Sequence, residues 1–496
     1  MEIQFIKNTL QCMRPFFSQV QTQEQTQEVR LPDAYPDIGK VLSCWGQVMI
    51  RGKEWRSTSM GANGGVMVWV LYAPEDGTQL RVVDVWVPFQ CRWDFPEATE
   101  DGTILLCPVL SELDSRGISA RKIMVRAVVS VCGDAMTKWK AETASAPEMP
   151  GDVQLLSKSY PMELPVEAGE KQVTLEENMS LPNDSAKIMG YALSPMILEQ
   201  KVLGNRMVFR GTATLSVTYM TEDGQIKHWD SEIPFSQYTE LDKDYPPTAS
   251  AWILPVTTAL ELETMDDGSV QMHAGVAAQY VIYDRAVVDV VEDAFSPIRD
   301  VHMKTDEVLL PSLLDTMTLD MVAEGKAEGE LADILAINAV QEYPELLMGE
   351  HGMQVSIDGQ FQGLCKDIDG QIYADFAAFK CKKAFESDPE NQVHLWPGLP
   401  MEHETLLGGD SVTLRCHYPV TAQVYSGQKI PMVSELELGE RKEPDPNRPS
   451  IILKRAGEEG IWPIAKSCGS TVAAIRQANH LEGEPQKGQM LLIPIS

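Results

Sequence analysis

The stretch Val66–Phe89, VMVWVLYAPEDGTQLRVVDVWVPF, constrains the fold more than any other part of the chain. It reads as an apolar strand, a turn at Asp76-Gly77, and a second strand ending at Pro88-Phe89. Asp-Gly between two β-branched, aromatic-rich runs is a strong hairpin signal, because both turn residues tolerate positive φ. The pattern returns at Leu215–Phe235, where Tyr219, Asp223-Gly224 and Pro234-Phe235 take the places of Tyr72, Asp76-Gly77 and Pro88-Phe89. A more worn copy runs from Val355 to Phe379, with Cys365 in the tyrosine place and Asp369-Gly370 at the turn. The turn glycines are spaced by 147 and 146 residues, and Leu42, Met189 and Leu335 each lie 30 residues before Tyr72, Tyr219 and Cys365. That period is too long for solenoid units or propeller blades and fits a tandem array of whole small domains.

Taken in order, the chain is expected to hold a lead segment at 1–30 (a strand or a short helix feeding the first repeat) and β domains at 31–140, 178–290 and 325–438. A Pro-rich linker is expected at 439–449, and a different module at 450–496. Ala144–Gly151, with Pro147 and Pro150, reads as a connector. Short strands between Gly, Pro and Asp turns suggest β-sandwiches. The tail reads strand–helix–helix–strand. Ile451-Ile452-Leu453 opens it, a helix covers Ile461–Ser467, and Gly469 stops that helix in the left-handed conformation. Ser470 or Thr471 caps a second helix at Val472–Asn479, and Met490–Ile493 closes the module before Pro494.

With 41 Lys and Arg against 72 Asp and Glu, the chain carries a formal charge of −31. Such a chain repels phosphate backbones, so no nucleic-acid partner is expected. Nine scattered cysteines, odd in number and without a CxxC, argue against a disulfide framework or a zinc knuckle and for a reducing compartment. The start, MEIQFIKNTLQCMRPFF, has no long apolar run after basic residues, and no stretch approaches the ~20 apolar residues that span a bilayer. A cytosolic protein with no transmembrane segment is the expectation.

Chemistry-bearing motifs are sparse. There is no GxxxxGK[ST], no GxGxxG, no GxSxG and no HExxH. The glycines of Gly61–Gly65 precede a strand rather than a helix. Cys416 and His417 are neighbours on an apparent strand, so their side chains face opposite ways and cannot share a metal. Tyr72, Tyr219, Phe89 and Phe235 read as core packing. No catalytic residue, metal site or cofactor is assigned.

The tail resembles a LysM domain. The resemblance rests on Gly457, Trp462 with Ile464-Ala465-Lys466, Gly469-Ser470-Thr471-Val472, Ile475, Ala478-Asn479, and Gly488-Gln489 leading to Leu491–Pro494. The Tyr…Asp-Gly…Pro-Phe hairpins and the Pro36-Asp37-Ile38 lead resemble SPOCS repeats. The whole layout is similar to the SPOCS-plus-LysM spore-coat morphogenetic proteins of endospore-forming Firmicutes. The fold implied is mainly β: three tandem β-sandwich-like SPOCS domains and a small βααβ LysM domain. The resemblance also implies a non-enzymatic coat-assembly role on the mother-cell side of the forespore surface. Its LysM module would dock on the basement-layer coat ATPase; the alternative is a LysM protein that binds peptidoglycan or chitin-type glycan. The implied binding residues, from the LysM loops, are Gly457, Glu458, Glu459, Gly460, Ile461, Trp462, Asn479 and Leu481. The loop Gly457–Pro463 departs from the usual Gly-Asp-Thr-Leu-Trp by one extra residue, two carboxylates and a proline. That departure favours a protein partner over N-acetylglucosamine.

Overall fold

The computed structural model describes residues 2–182, 187–265, 268–328, 331–349, 352–408, 411–443 and 449–495. The fold is mainly β, with two short helices near the C-terminus. After the short β1 (Glu2–Gln4), repeat one is built from six strands. They are β2 (Ile6–Arg30), β3 (Ile38–Arg56), β4 (Ser59–Pro74), β5 (Arg81–Asp94), β6 (Thr103–Ser119) and β7 (Lys122–Ser145). Two antiparallel three-stranded sheets, β3-β4-β5 and β2-β7-β6, enclose a core of Val66, Val68, Val70, Val125, Ala127 and Val129.

Repeat two follows the same plan with β8 (Gln154–Met179), β9 (Lys187–Met220), β10 (Ile226–Tyr245), β11 (Ser250–Thr264) and β12 (Val270–Phe295). Here β9 covers the places of both β3 and β4. It turns at Gly204, which sits at φ 61, and Arg210 pairs with Glu199 across the two halves at 3.0 Å. Repeat three breaks the same strands into shorter ones. β13 (Arg299–Leu309) and β14 (Leu313–Glu328) together match β2, and β15 (Leu331–Gln341) and β16 (Glu345–Gly349) match β3. β17 (Gly352–Asp367) and β18 (Ile372–Phe385) match β4 and β5. β19 (Gln392–Pro397) and β20 (Met401–Gly408) match β6, and β21 (Ser411–Tyr425) and β22 (Lys429–Arg441) match β7.

The three turns differ from the expected two-residue type in a specific way. Only the glycines Gly77, Gly224 and Gly370 have positive φ, at 72°, 81° and 83°. In the second hairpin Gly224 N–H donates to the Thr221 carbonyl and Thr221 N–H to the Gln225 carbonyl. This is a type I turn closed by a left-handed glycine, a longer loop that leaves the aspartate in ordinary backbone space. Asp76 instead accepts from the Thr78 N–H at 3.0 Å and its hydroxyl at 2.7 Å.

The upstream lead and the hairpin tyrosine turn out to be one device. The buried Tyr72 hydroxyl donates to the Pro36 carbonyl at 3.1 Å. The Glu75 N–H donates to the Asp37 carbonyl at 3.0 Å, and Arg121 holds the Asp37 carboxylate at 3.0 Å.

The phenylalanine that ends each hairpin has a partner that the sequence reading did not single out. Phe89, Phe235 and Phe379 stand directly across from Gly64, Gly211 and Gly359 on the neighbouring strand. A Cβ on Gly211 would lie 2.3 Å from the Met196 carbonyl oxygen and 2.5 Å from the Phe235 ring; Gly64 and Gly359 are as tight. An aromatic ring laid over a strand glycine covers backbone that has no side chain of its own.

Connectors expected between separate domains are strands in the fold. The polar lead 1–30 is β2, which pairs with β7 from Ile6 to Arg30. As an edge strand it needs only its backbone to join the sheet, so its Gln-rich alternation conceals it. Residues 141–177 and 291–324 are mostly filled by the end of β7, β8, the end of β12, β13 and β14. Of the expected linker 439–449, the first three residues belong to β22, and 444–448 lie outside the described residues.

The extra strand lengths bring the repeats together. The ribbon ends of β2–β7, β8–β12 and β13–β22 share one apolar core that includes Ile3, Phe5, Ala141, Val290, Val433 and Leu436. β1 pairs with β22, so the N-terminal strand closes onto the third repeat. At the hairpin side Leu42, Met189, Met220 and Leu364 share a second core, against which Leu335 packs. The three positions in register in the sequence are therefore neighbours in space, and the repeats form one fused body.

The tail folds as β23 (Ile451–Arg455), α1 (Ile461–Cys468), α2 (Val472–Asn479) and β24 (Met490–Pro494), in the order expected.

Replacing Gly211 by Ala forces a Cβ into the Met196 carbonyl and the Phe235 ring, and is expected to cost about 2–3 kcal/mol. Gly224→Ala, where nothing lies within 4 Å of the new methyl, strains only the backbone and is expected to cost about 1 kcal/mol. Urea midpoints at unchanged m-value measure both; equal losses would remove the Gly–Phe contact as the cause.

Candidate functional site

The residues assigned to binding gather at the two loops of the C-terminal module. α1 begins at Gly460, which offers no side-chain cap, and Pro463 falls in its first turn, where a missing N–H costs nothing. The cap comes from elsewhere: the Glu484 carboxylate accepts from the Ile461 N–H at 2.7 Å. Glu484 belongs to the α2–β24 loop, so it ties the two loops together. A second tie runs from Lys487 to Glu458 at 2.5 Å. Glu459 pairs with Lys454 at 2.9 Å.

Asn479 is spent on structure. Its amide donates to the carbonyls of Ile475 and Leu492 at 2.8 and 2.6 Å, and its oxygen accepts from the Leu492 N–H at 2.7 Å. That stitches the end of α2 to β24. Ile461 is buried and Leu481 half-buried in the module's core with Ile464, Ala465, Ile475, Leu491 and Ile493. Thr471 caps α2, accepting from the Ala474 N–H at 3.1 Å, and Gly469 ends α1 at φ 66. Of the eight assigned residues, Gly457, Glu458 and Glu459 are exposed to solvent.

Trp462 faces the body of the protein. Its indole N–H donates to Asp293 at 2.8 Å, and its ring meets Phe295 edge-on with centroids 4.8 Å apart. Lys466, one turn on, pairs with the same Asp293 at 2.7 Å. Both partners lie at the end of β12, so α1 is seated on repeat two.

The outer face of the β23–β24 ribbon was not singled out from the sequence. Ile451, Leu453, Met490 and Leu492 are 56%, 64%, 54% and 43% exposed, and Leu453 and Leu492 are directly paired. Their alternation with the inward Ile452, Leu491 and Ile493 is the period-2 signal that could have revealed them. Four large apolar side chains on one side of a two-stranded ribbon form an unusual surface for a module this small. Five Lys or Arg and four Glu make 450–496 nearly neutral within a chain of −31.

Elsewhere the strongest polar cluster is buried where the repeats meet. His394 of repeat three bonds Asp134 of repeat one at 2.8 Å. Beside it Tyr283 and Tyr425 share a 2.6 Å hydroxyl contact, and Gln423 donates to Tyr283. Burial opposes protonation of His394, but the Asp134 carboxylate outweighs it and lifts the imidazole above its ordinary value. Burial pushes the Cys132 thiol up to about 12, and the Cys107 thiol higher still. Such thiols stay protonated near neutral pH and are poor nucleophiles. Among the described residues no group of three or more His, Cys, Asp and Glu could hold a metal ion, and no helix is long and apolar enough to cross a membrane. As expected from their neighbouring positions, Cys416 is buried while His417 turns outward to Asp320 at 2.9 Å.

Residues 184–266 match the family model for the SPOCS domain of SipL. The match covers β9, β10 and β11 of repeat two and bears out the SPOCS resemblance carried by its Tyr219, Asp223-Gly224 and Pro234-Phe235. The chain is thus SipL-like in a domain tied to sporulation. No curated protein and no solved structure matches the chain.

Asp293→Ala removes both polar anchors of α1 and is expected to loosen the module from repeat two, seen as a larger radius of gyration in small-angle scattering. Asp293→Asn keeps an acceptor for Trp462 and is expected to fall between; an unchanged radius in both variants would show that the apolar contact alone suffices. The His394–Asp134 pair contributes fully below the unfolded histidine's pKa of about 6.5 and fades as pH rises through the higher folded value. Chemical-denaturation stability is therefore expected to fall from pH 6 to pH 9 by an amount that is missing in His394→Gln.

Proposed function

We propose that this chain is a non-enzymatic assembly protein of the spore coat. In this reading it works at the mother-cell face of the forespore, and its C-terminal LysM-like module docks on the basement-layer coat ATPase. The SPOCS match to repeat two supports the sporulation role. The observation that carries the docking role is the apolar strip of Ile451, Leu453, Met490 and Leu492. A protein partner can bury such a strip, and at ~25 cal/mol per Å2 it would be the main source of affinity.

The loop geometry favours a protein over a glycan. The loops that would border a sugar groove are joined by Glu484 and Ile461 and by Glu458 and Lys487, and the Asn479 amide is committed to Leu492. A sugar would have to displace these internal bonds to gain its own. With α1 seated on Asp293, the body would carry the module in a fixed orientation, so docking would order the whole SPOCS body on its partner. Fewer degrees of freedom remain to be lost on binding.

Leu453→Asp and Leu492→Asp, each placing a charge on the strip, are expected to abolish co-purification of the full chain with the coat ATPase. Glu458→Gln, at the loop, is expected to leave it intact. Retained binding in the strip variants, with circular dichroism unchanged, would reject this surface.

A further inference from the structure

Repeat one carries a depression of about 490 Å3 on the outer face of β3, β4 and β5, lined by Gln25, Arg51, Asn63, Trp86 and Gln90. Its position follows from the fold. Gly64 and Gly65 leave bare backbone in the middle strand, and the Trp86 ring lies across Gly65 in the space a Cβ would need, 2.3 Å away. A second depression, about 890 Å3, lies over the same place in repeat three and is walled on its other side by Ser111–Asp114 and Arg126 of repeat one. There Gly359 and Phe379 stand for Gly64 and Phe89, and Phe376 holds the place of Trp86, three residues before the conserved-register phenylalanine. In repeat two that place is Glu232. Hollows thus lie over this register in repeats one and three, and their linings differ.

The lining chemistry separates the two hollows. Five carboxylates and two cations line the second: Glu324, Glu342, Asp358 and Lys380 from repeat three, and Glu112, Asp114 and Arg126 from repeat one. No carboxylate lines that of repeat one, although the chain has 72 acidic residues against 41 basic ones. Its cation is positioned, since the Arg51 guanidinium lies 4.9 Å from the Trp86 ring centroid. A guanidinium held by its face keeps its edge N–H groups for a carboxylate, which it can grip with two parallel bonds. Around it Gln25, Asn63 and Gln90 bring three neutral amides, each with one acceptor and two donors. Groups that both donate and accept suit hydroxyls, which do the same. An acidic peptide would call for several cations rather than one cation among amides. The volume lies in the range that takes a small ligand.

We propose that this depression binds a carboxylated saccharide, with Arg51 on the carboxylate and Gln25, Asn63 and Gln90 on the ring hydroxyls. The site belongs to repeat one, away from the C-terminal module, so it stands or falls apart from the docking role.

The test uses the full chain and matched probes: glucuronic acid against glucose, and N-acetylmuramic acid against N-acetylglucosamine, followed by calorimetry and saturation-transfer NMR. Each acidic sugar is expected to bind at least tenfold tighter than its neutral partner. Arg51→Gln is expected to erase that tenfold preference, and Asn63→Ala with Gln90→Ala to weaken both acidic sugars. Leu453→Asp, which is aimed at the separate docking role, is expected to leave the affinity for each sugar as it was. Circular dichroism and melting checks confirm that the variants fold. Equal affinity for acidic and neutral sugars, an unaltered preference in Arg51→Gln, or no binding of any probe overturns the proposal. So does a tetraglutamate peptide that binds as tightly as the sugars, which would assign the hollow to a protein partner.

Discussion

Leu42, Met189 and Leu335 occupy the same place in three repeats, and they are covered largely by one another's neighbours. A single repeat would leave its copy facing water. The same holds at the opposite end, where the ribbons β2–β7, β8–β12 and β13–β22 fill one core between them. Each repeat is therefore an incomplete body, and burial of these two clusters is what makes the chain one object rather than three. The core of repeat one extends without a break into Leu254, Val256, Val281 and Tyr283 of repeat two and Val340, Trp396 and Tyr425 of repeat three. Burial of apolar surface is non-directional, so it draws the repeats together without fixing their register. Polar bonds supply the register. Gln279 accepts from and donates to the backbone of Leu106, both at 2.8 Å, Gln362 donates to Leu113, and Gln47 accepts from Leu193. Lys53 bridges Glu170 and Gln279 across the first two repeats, and burial lowers its ammonium below the usual range despite Glu170. A buried amide left unpaired is costly, so a slipped repeat would be penalised at each of these points.

This arrangement accounts for what could be read from the residues and what could not. The hairpins were legible because a left-handed glycine and an apolar alternation are local signals. Both tail helices were legible because Gly469 and Thr471 mark their ends. The turn type was not, because Asp-Gly fits either a two-residue loop or the longer one found. Residues 1–30 were legible only as a strand or a short helix, because an edge strand joins chiefly through its backbone and most of the apolar side chains are on β7. The Gly–Phe pairs were hidden because their partners are 20 to 25 residues apart in sequence and meet only across a ladder. Closure by β1 on β22 joins residues more than 400 positions apart, and nothing local announces it. The order of strands, helices and loops that carries the candidate binding residues was legible. The sequence could not tell that Asn479 looks inward or that Trp462 reaches Asp293 of repeat two, because a polar or amphipathic side chain serves packing and recognition equally well.

The charge of −31 limits how such a chain meets others. Two acidic surfaces repel over roughly 8 Å at physiological ionic strength. Contact is easiest where acid is absent, and two such places stand out: the nearly neutral C-terminal module and the acid-free hollow over Gly64. Several cations are already engaged within the molecule, Arg126 between Glu24 and Glu112 and Arg415 between Glu324 and Glu404. A cation in a hollow that no carboxylate lines, such as Arg51, is therefore a surface feature with consequences for recognition.

Repetition explains why such features can differ from one repeat to the next without loss of the fold. The inward positions are constrained: Tyr72, Tyr219 and Cys365 are all buried, and each phenylalanine keeps its glycine. The outward positions are not. The same cross-strand site exposes Arg92, opposite Gly61, in repeat one, Tyr238, opposite Val208, in repeat two, and Lys382, opposite the buried Ser356, in repeat three. Each pair stands on a scaffold fixed from below, so changing it alters what the face can bind at little cost in stability, as expected for exposed substitutions. A fused trimer of like sheets can in this way present three different faces at fixed relative positions. Linkage of those faces in one rigid body raises the effective concentration of the second and third once the first is engaged, a gain that separate domains on flexible connectors would largely lose.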